Sequence, residues 1–368
     1  MIRGCALLAL VACHSPPPPQ LVAPAAGAAC AGILLAAPAD LAAPGPWPVG
    51  ARTVDVDGVT VEVWYPARPG SERGVPLARY DLRTAMPPAE AAKIPDADNA
   101  WLPCACARDL PVDDAHGRYP VVVFFHGAAS FRAQSAFLAT HWASRGFVVI
   151  APDLPGVGLA AVLGGGGGMP LGVPAAMLDL LARAPAPDPL AFVRARLGNR
   201  VAVVGHSLGT VLAGAILERP EIDVVIAMAG STRDEPIAGS TLLLGGDHDR
   251  IAPTAGVRAA IGDRPRTRLA ILHGAGHLAF TDLCTLGADR GGSLAIARAH
   301  GVALPDILVE LASDGCRPED APFAATAPPI RALTAGALEE RLRCDPAATR
   351  ALAALPRRYA IELVEPRP

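Results

Sequence analysis

The stretch RVAVVGHSLGTVLAGAILER (200–219) decides the fold, because it joins two different hydrophobic patterns through one short turn. RVAVV is a β-branched run typical of a buried strand, and the residues that follow the turn are typical of a helix. Between them, GHSLG (205–209) has the G-x-S-x-G pattern, whose glycines permit a tight turn that exposes the serine hydroxyl above a sheet. Ser207 is therefore predicted to be a nucleophile rather than a serine in an ordinary strand-to-helix turn.

The rest of the chain repeats the order strand, helix, strand. Strands are predicted at 59–66, 119–127, 146–153, 200–207, 222–230, 240–249 and 267–277, and helices at about 132–145, 174–184, 208–219 and 254–261. This alternation predicts an α/β fold with a mainly parallel central sheet flanked by helices. Residues 282–345 follow the last of these strands and hold further helical runs, so we expect a C-terminal helical appendage positioned to cover the site.

Two carboxylates compete for one role at the end of the predicted strand 240–249. A serine hydroxyl needs an adjacent base, which an acid orients, and the chain order expected after this motif is serine, acid, histidine. Asp247 and Asp249 both follow the strand. Asp249 lies further into the loop and precedes RIAP, so we predict that it is the acid and that Asp247 is a supporting carboxylate at the strand end.

Two histidines stand four residues apart in ILHGAGHLAF (271–280). His273 and His277 would bind a metal if one face of a helix carried both side chains. Gly274 and Gly276 separate them, and a strand pattern precedes them, so the segment is predicted to be a strand that runs into a loop. We expect no metal and no cofactor: His277 is the predicted base, and His273 is a structural residue at the strand end.

Acyl transfer also needs N–H donors for the negative charge that develops on the carbonyl oxygen. The predicted donors are the backbone N–H of Leu208, directly after the serine, and that of Ala128 in the loop HGAAS (126–130). His126 in the same loop is interpreted as a structural histidine that shapes the loop.

These segments together resemble a known family. HGAASFRAQSAFLATHWASRGFVVIAPD (126–153), VEVWYPA (61–67) and GAGHLAFTDLC (274–284) are similar to stretches of platelet-activating factor acetylhydrolases and their bacterial homologues. DHDRIAP (247–253) is similar to the acid loop of bacterial cutinase-like polyester hydrolases, a group related to dienelactone hydrolases. The resemblance covers about 45–285. It implies an α/β-hydrolase fold that acts without metal; the residues it implies are the triad Ser207, Asp249 and His277 and the oxyanion donors Ala128 and Leu208.

The resemblance implies a serine carboxylic ester hydrolase that forms an acyl-enzyme on short-chain acyl esters, such as platelet-activating factor-like or oxidised phospholipids. The alternatives are a polyester hydrolase (cutinase) or a lipase for longer chains, and a non-catalytic envelope binding protein on the same fold. Polyester hydrolases usually carry an aromatic residue directly after HG, where this chain has Ala128. That departure and the glycine run 164–168 leave the choice of ester open.

The N-terminus has the pattern of a targeting segment. Arg3 precedes the short apolar core ALLALVA (6–12), and LVAC (10–13) resembles a lipoprotein lipobox, whose cysteine is lipidated. We predict a lipoprotein-type signal peptide at 1–12, a lipid anchor on Cys13, a Pro/Ala-rich linker at 13–45 and a single domain at 46–368. The protein would then be exported, as an envelope lipoprotein or secreted. The alternatives are a signal cut elsewhere and a transmembrane helix within 21–38.

The composition adds few constraints. The formal net charge of -3, with no long Lys or Arg block in the sequence, gives no indication of nucleic-acid binding, and we expect a monomer that binds a small ester or phospholipid. Export permits disulfides. Cys284 with Cys316 is the favoured pair, whereas Cys104 and Cys106 are predicted to be too close in the chain to bridge comfortably. The remaining candidates for pairing are Cys30 and Cys344.

Overall fold

The structure, a computed structural model, describes residues 34–232, 239–262 and 264–366. The predicted signal peptide 1–12, Cys13, Cys30 and most of the predicted linker lie outside these residues. Within the part of the chain that is described, no helix has the length and apolar character needed to cross a bilayer.

Strands and helices alternate along most of the described chain. The strands are β1 (Val49–Val56), β2 (Val59–Pro66), β3 (Arg79–Asp81), β4 (Trp101–Pro103), β5 (Ala107–Arg108), β6 (Tyr119–Phe125), β7 (Val148–Pro152), β8 (Leu197–His206), β9 (Ile222–Met228), β10 (Ser240–Gly246), β11 (Thr267–Leu272) and β12 (Ile361–Val364). The α-helices are α1 (Pro88–Ala91), α2 (Ala136–Ser144), α3 (Leu159–Leu163), α4 (Gly172–Ala182), α5 (Ala191–Arg194), α6 (Leu208–Gly214), α7 (Thr254–Ala259), α8 (Ser293–Ala299), α9 (Asp306–Leu311), α10 (Phe323–Leu342) and α11 (Pro346–Ala354).

A ten-stranded sheet forms the centre of the molecule, in the order β12-β11-β10-β9-β8-β6-β7-β2-β1-β5. The six strands from β11 to β7 run parallel to their neighbours. β2, β1 and β12 extend the sheet as antiparallel strands. The mainly parallel sheet flanked by helices is therefore confirmed, and the carboxyl ends of its parallel strands lie at one edge, where the predicted site residues follow.

The sheet has two cores because successive residues of a strand point to opposite faces. In β6, Val122 and Phe124 face one core, which α2 and α10 cover, while Val123 and Phe125 face the other, which α4 and α6 cover. Every residue of β6 is buried. Burial on both faces explains why the central strands are nearly continuous apolar runs.

The predicted C-terminal helical region is present, and its longest helix lies in the core. Helix α10 is buried at almost every position from 326 to 339, although it contains Pro328 and Pro329. Trp142 of α2 donates a hydrogen bond from Nε1 to Thr334 Oγ1 of this helix at 3.0 Å. The chain then returns to the sheet, where β12 pairs with β11. The sequence pattern predicted helices within 282–345, but it indicated neither the position of α10 in the core nor β12.

Residues 34–45, which composition predicts to be linker, instead pack on the domain. Leu41 is buried, and the carbonyls of Pro38, Asp40 and Ala43 accept hydrogen bonds from the guanidinium of Arg145. Arg145 is itself fully buried at the end of α2. The glycine run 164–168 lies in an exposed loop that follows α3.

Two disulfides are described. Cys284 and Cys316 are bonded, which confirms the favoured pair. Cys104 and Cys106 are also bonded, with their Cα atoms 5.1 Å apart, so the prediction that they are too close in the chain to bridge comfortably is wrong. The reason is a contact with another segment of the chain: Ala78 O accepts from Cys104 N and Ala78 N donates to Cys106 O, which brings the two cysteines to the same side of the loop. A Cα separation near 5 Å lies within the normal range for a disulfide.

Candidate active site

The turn that carries Ser207 is strained and crowded. Ser207 has φ 52° and ψ -121°, a left-handed conformation that a residue with a side chain rarely adopts. A Cβ on Gly205 would lie 2.4 Å from Gly209 O, and a Cβ on Gly209 would lie 2.1 Å from Phe125 O. Only glycine fits at either position, so α6 packs closely on β6 and β8 and the turn projects the serine hydroxyl outward.

The structure brings the three predicted triad residues into one chain of hydrogen bonds. Ser207 Oγ lies 2.8 Å from His277 Nε2, and His277 Nδ1 lies 2.9 Å from Asp249 Oδ2. His277 and Asp249 are almost completely buried. A carboxylate accepts the Nδ1–H, so Nε2 carries the lone pair that faces the serine hydroxyl. This arrangement lets the imidazole take the proton of Ser207.

Asp249 is held in place by the backbone of its own loop. Its Oδ1 accepts hydrogen bonds from Ile251 N at 2.9 Å and from Ala252 N at 2.7 Å. These contacts come from the residues RIA that follow it, which is the part of the sequence on which the choice of Asp249 over Asp247 depended. The carboxylate therefore keeps one orientation towards His277.

The other histidine and aspartate form a separate pair at the surface. His273 Nδ1 lies 2.8 Å from Asp247 Oδ2, and Gly274 N donates to Asp247 Oδ1. β11 ends at Leu272 and a short 3-10 helix begins at His277, so the predicted strand and loop are confirmed. His273 and His277 contact different carboxylates, and among the described residues no group of three or more His, Cys, Asp or Glu side chains is placed to hold a metal ion.

The two predicted oxyanion donors flank the serine. Gly127 N donates to Gln134 Oε1 and Ala129 N donates to Val157 O, whereas the Ala128 N–H between them has no hydrogen-bond acceptor within the described residues. Leu208 is the first residue of α6, where a backbone N–H has no partner inside the helix. Both N–H groups are thus available to a ligand.

His126 has the structural role predicted for it. Its Nδ1 donates to Gly127 O at 2.7 Å, and its Nε2 accepts from Leu154 N at 3.0 Å. The side chain is fully buried, and this burial lowers its pKa to about 4. A neutral imidazole with both nitrogens bonded fixes the loop that carries Ala128.

His206 is a buried neighbour of the site that the sequence reasoning did not single out. Its Nε2 lies 3.0 Å from the carbonyl oxygen of His277, to which it donates. Burial lowers the pKa of His206 to about 3, with a further contribution from the charge of His277. The side chain is therefore neutral near pH 7 and supports the backbone of His277. Its position directly before Ser207 was the available sign.

Asp314 is the second residue that sequence reasoning missed. Its Oδ1 accepts from His277 N at 2.8 Å and its Oδ2 from Arg250 N at 3.2 Å, while its own carbonyl accepts from Leu278 N. The side chain is completely buried. One carboxylate thus joins the loop that carries the acid to the loop that carries the base. In the sequence, Asp314 was marked only by its position two residues before Cys316, a member of the favoured cysteine pair.

Comparisons with known proteins agree with this architecture. The family model described as Chlorophyllase matches residues 110–239, a segment that contains Ser207 and Ala128 and ends before Asp249. No curated protein sequence matches the chain. Among solved structures, a ferulic acid esterase from Streptomyces cinnamoneus superposes with a TM-score of 0.61 and 21% sequence identity, covering 88% of this chain and 99% of that one. At this identity the structural likeness shows the fold.

The chain therefore has the fold of an α/β-hydrolase. Within that class, the match of residues 110–239 to the model described as Chlorophyllase supports an esterase-type hydrolase.

Proposed function

We propose that the protein is a carboxylic ester hydrolase that works through an acyl-enzyme. The observation that supports this most is the continuous set of contacts from Ser207 Oγ through His277 to Asp249, at 2.8 and 2.9 Å. The strained turn at Ser207 is a second support, because such strain is retained where a nucleophile must be exposed.

Each residue has one task in the proposed reaction. Ser207 Oγ attacks the ester carbonyl carbon while its proton passes to His277 Nε2. The Ala128 and Leu208 N–H groups bind the oxygen that becomes negative. His277 then gives the proton to the departing alcohol oxygen as the C–O bond breaks, and a water molecule repeats the sequence to release the acid. Asp249 keeps the imidazole in the required tautomer and stabilises its charged form.

The finer proposal is an ester with a short acyl group, such as a platelet-activating factor-like or oxidised phospholipid. It rests on the resemblance of residues 126–153 and 274–284 to the acetylhydrolases. The pocket over Ser207 is small, with about 350 Å³ of empty space including its opening, and small or aliphatic residues such as Ala128 and Leu278 line it. A polyester hydrolase or lipase is the second candidate, favoured by an apolar cavity that adjoins this pocket.

Export remains part of the proposal. The disulfides Cys104–Cys106 and Cys284–Cys316 support an oxidising compartment, since such bonds are rare in the cytosol. A lipid anchor on Cys13 predicts that the wild-type protein fractionates with membranes and that Cys13→Ser is released into the soluble fraction. A wild-type protein that is already soluble would contradict the anchor and leave the esterase proposal intact.

The central experiment uses the purified protein with p-nitrophenyl acetate and a fluorophosphonate probe. We expect hydrolysis and covalent labelling by the wild type, and neither by Ser207→Ala. Folding of the variant is checked by circular dichroism. A correctly folded wild type that hydrolyses no ester and takes up no probe would instead support the non-catalytic binding protein.

A further inference from the structure

A second, larger cavity lies beside the pocket over Ser207; we call it the side chamber. Its empty space, with its opening included, is about 810 Å³. Most of the side chains that line it are apolar, among them Met86, Ile94, Leu283, Ala297 and Leu308. The chamber exposes far more apolar than polar wall, which suits a hydrocarbon.

The side chamber and the pocket over Ser207 adjoin each other. Five residues line both: Ala129, Ser130, Leu283, Leu308 and Ala312. Two of these, Ala129 and Ser130, belong to the loop that carries the proposed oxyanion donor Ala128. The chamber therefore lies next to the space that a group attached to an ester carbonyl at Ser207 would occupy.

The charged and amide side chains at the chamber wall, Arg83 and Asn99, are already paired, whereas the buried hydroxyl of Ser130 has no hydrogen-bond partner within the described residues. Arg83 forms ion pairs with Asp81 and Asp96 and donates to the carbonyl of Ile94. Asn99 donates to Asp81 at 3.0 Å. These groups hold the wall together and offer little charge for recognising a polar ligand, so the chamber does not suit a phosphate or a sugar.

Two distant parts of the chain form the walls and bind each other. The first is the segment 82–100, and the second is the segment 283–312 beyond β11. Lys93 Nζ donates to Gly301 O at 2.9 Å, and Ala303 N donates to Glu90 Oε2 at 3.0 Å. Arg290 also donates to the carbonyl of Asp98. The disulfide Cys284–Cys316 then ties the second wall to the segment that carries Asp314. The chamber is thus preformed.

We propose that the side chamber binds a hydrocarbon chain of the ester substrate while the ester carbonyl lies at Ser207. This inference rests on the proposed esterase function and names the substrate class for the same site: esters that carry an extended, uncharged chain on the acyl or the alcohol side. A short acyl group in the pocket over Ser207 and a long chain in the chamber are compatible, because the two spaces adjoin.

The first test compares chain lengths in the wild-type protein. One series varies the acyl group, from p-nitrophenyl acetate to p-nitrophenyl dodecanoate below micelle formation, and the other varies the alcohol, from ethyl to dodecyl acetate. We expect kcat/KM to rise in at least one series, by up to roughly tenfold for every two methylene groups that enter the chamber. The series in which kcat/KM rises shows whether the acyl chain or the alcohol chain enters the chamber. Hydrolysis of acetate with no rise in either series overturns the chamber proposal and leaves the esterase proposal standing.

The second test fills the chamber. Ala297 is a buried residue of α8 that lines it, and Ala299 on the same helix is exposed. Ala297→Phe should lower the ratio of long-chain to acetate kcat/KM by about tenfold or more, and Ala299→Phe is the matched control that keeps the ratio. If Ala297→Phe does not fold, Met86→Trp on the opposite wall serves the same purpose. An unchanged ratio in a folded chamber variant contradicts the proposal.

The third test does not need turnover. Dodecanoic acid is titrated calorimetrically into Ser207→Ala and into Ser207→Ala combined with Ala297→Phe. We expect binding to the first protein and at least a tenfold weaker affinity for the second. This result does not depend on hydrolysis. Failure of the esterase proposal can therefore be distinguished from failure of the chamber proposal. Absence of binding to both proteins, together with flat chain-length series, overturns the chamber.

Discussion

Two histidine–aspartate pairs follow the same two strands, β10 and β11, and the distance between the partners is nearly the same in both. His277 and Asp249 are 2.9 Å apart, and His273 and Asp247 are 2.8 Å apart. The first pair is buried, and Ser207 lies at the far side of its imidazole. In the second pair, 55% of the His273 side chain and 37% of the Asp247 side chain are exposed. Their contact distances do not distinguish them; burial and the third partner do.

The difference shows what makes such a pair useful. An exposed ion pair contributes little, typically about 0–1 kcal/mol of stability, because water screens it. In the buried pair, the carboxylate has a fixed orientation, and the interaction is stronger where the effective dielectric constant is low. The exposed pair has no nucleophile in contact. The following predictions test this comparison, beginning with the largest expected effect.

Replacing each histidine by alanine should separate the pairs most clearly. His277→Ala should lower kcat on p-nitrophenyl acetate by about a million-fold, because the serine loses the group that takes its proton. His273→Ala should retain kcat within about threefold, as expected of an exposed residue that contacts no reacting group. Steady-state kinetics on both purified variants measure the difference. Comparable losses in the two variants would show that the exposed pair takes part in the reaction.

The aspartates should show the same contrast at a smaller scale. Asp249→Asn should lower kcat by about ten-thousand-fold, because an amide favours the wrong imidazole tautomer. Asp247→Asn keeps the size of the side chain and should change kcat by less than about threefold. The assignment of the acid would be reversed if Asp247→Asn were the inactive variant.

Asp314 should have an intermediate effect, because it contacts the backbone of both loops and no reacting atom. Asp314→Asn weakens part of a set of three N–H contacts, from His277 N, Arg250 N and the Arg317 guanidinium. A small displacement of His277 is expected to lower kcat by about a hundred-fold with little change in KM. Asp289→Asn, at an exposed carboxylate, is the control. A positioning role also predicts slower fluorophosphonate labelling of Ser207. Normal labelling and normal kcat in a folded Asp314→Asn protein would refute it.

The smallest expected effect is on stability, and the prediction contrasts the buried histidines with the exposed His273. Burial lowers the pKa of His126 to about 4 and those of His141 and His206 to about 3. Between pH 6.5 and 4 these three histidines are protonated in the unfolded chain and remain neutral in the folded protein. The free energy of unfolding should therefore fall as the pH falls. Asp282, whose pKa burial raises to about 7, and Asp223, whose pKa burial also raises, act in the opposite direction, but they are two groups against three.

Urea unfolding at pH 7 and pH 5 measures this dependence. We expect a lower midpoint at pH 5 for the wild type and an equal decrease for His273→Ala, whose histidine is exposed. A midpoint that stays constant or rises towards pH 5 would show that the three buried histidines do not dominate.

The parts of the site that sequence predicted all depend on local patterns. Ser207 stands in a motif between a strand and a helix, and Asp249 and His277 follow predicted strands whose carboxyl ends must meet. Asp314 could not be found this way, because its contacts are formed by a loop 37 residues after His277 and depend on how the chain returns to the sheet. The bond between Cys104 and Cys106 likewise depends on Ala78, a partner on another segment.

The position of helix α10 in the core was missed for a different reason. A helix that is half exposed has an apolar stripe with a period near 3.6 residues, which a sequence reveals. Helix α10 is buried almost all around between 326 and 339 and contains two prolines, so it has no such stripe and resembles a helix end. Its position in the core is a property of the whole fold.

The guanidinium of Arg145 has a consequence for how the chain is completed during synthesis. It is fully buried between carbonyls of residues 38–43 and the carboxylate of Glu339, and Arg145 Nε lies 2.6 Å from Glu339 Oε1. A buried cation without its counter-charge is costly, by about 3–5 kcal/mol. Until Glu339 has left the ribosome, the Arg145 guanidinium has no carboxylate partner, and burying it is costly. The N-terminal segment and the sheet should therefore become stable together, only after Glu339 has left the ribosome.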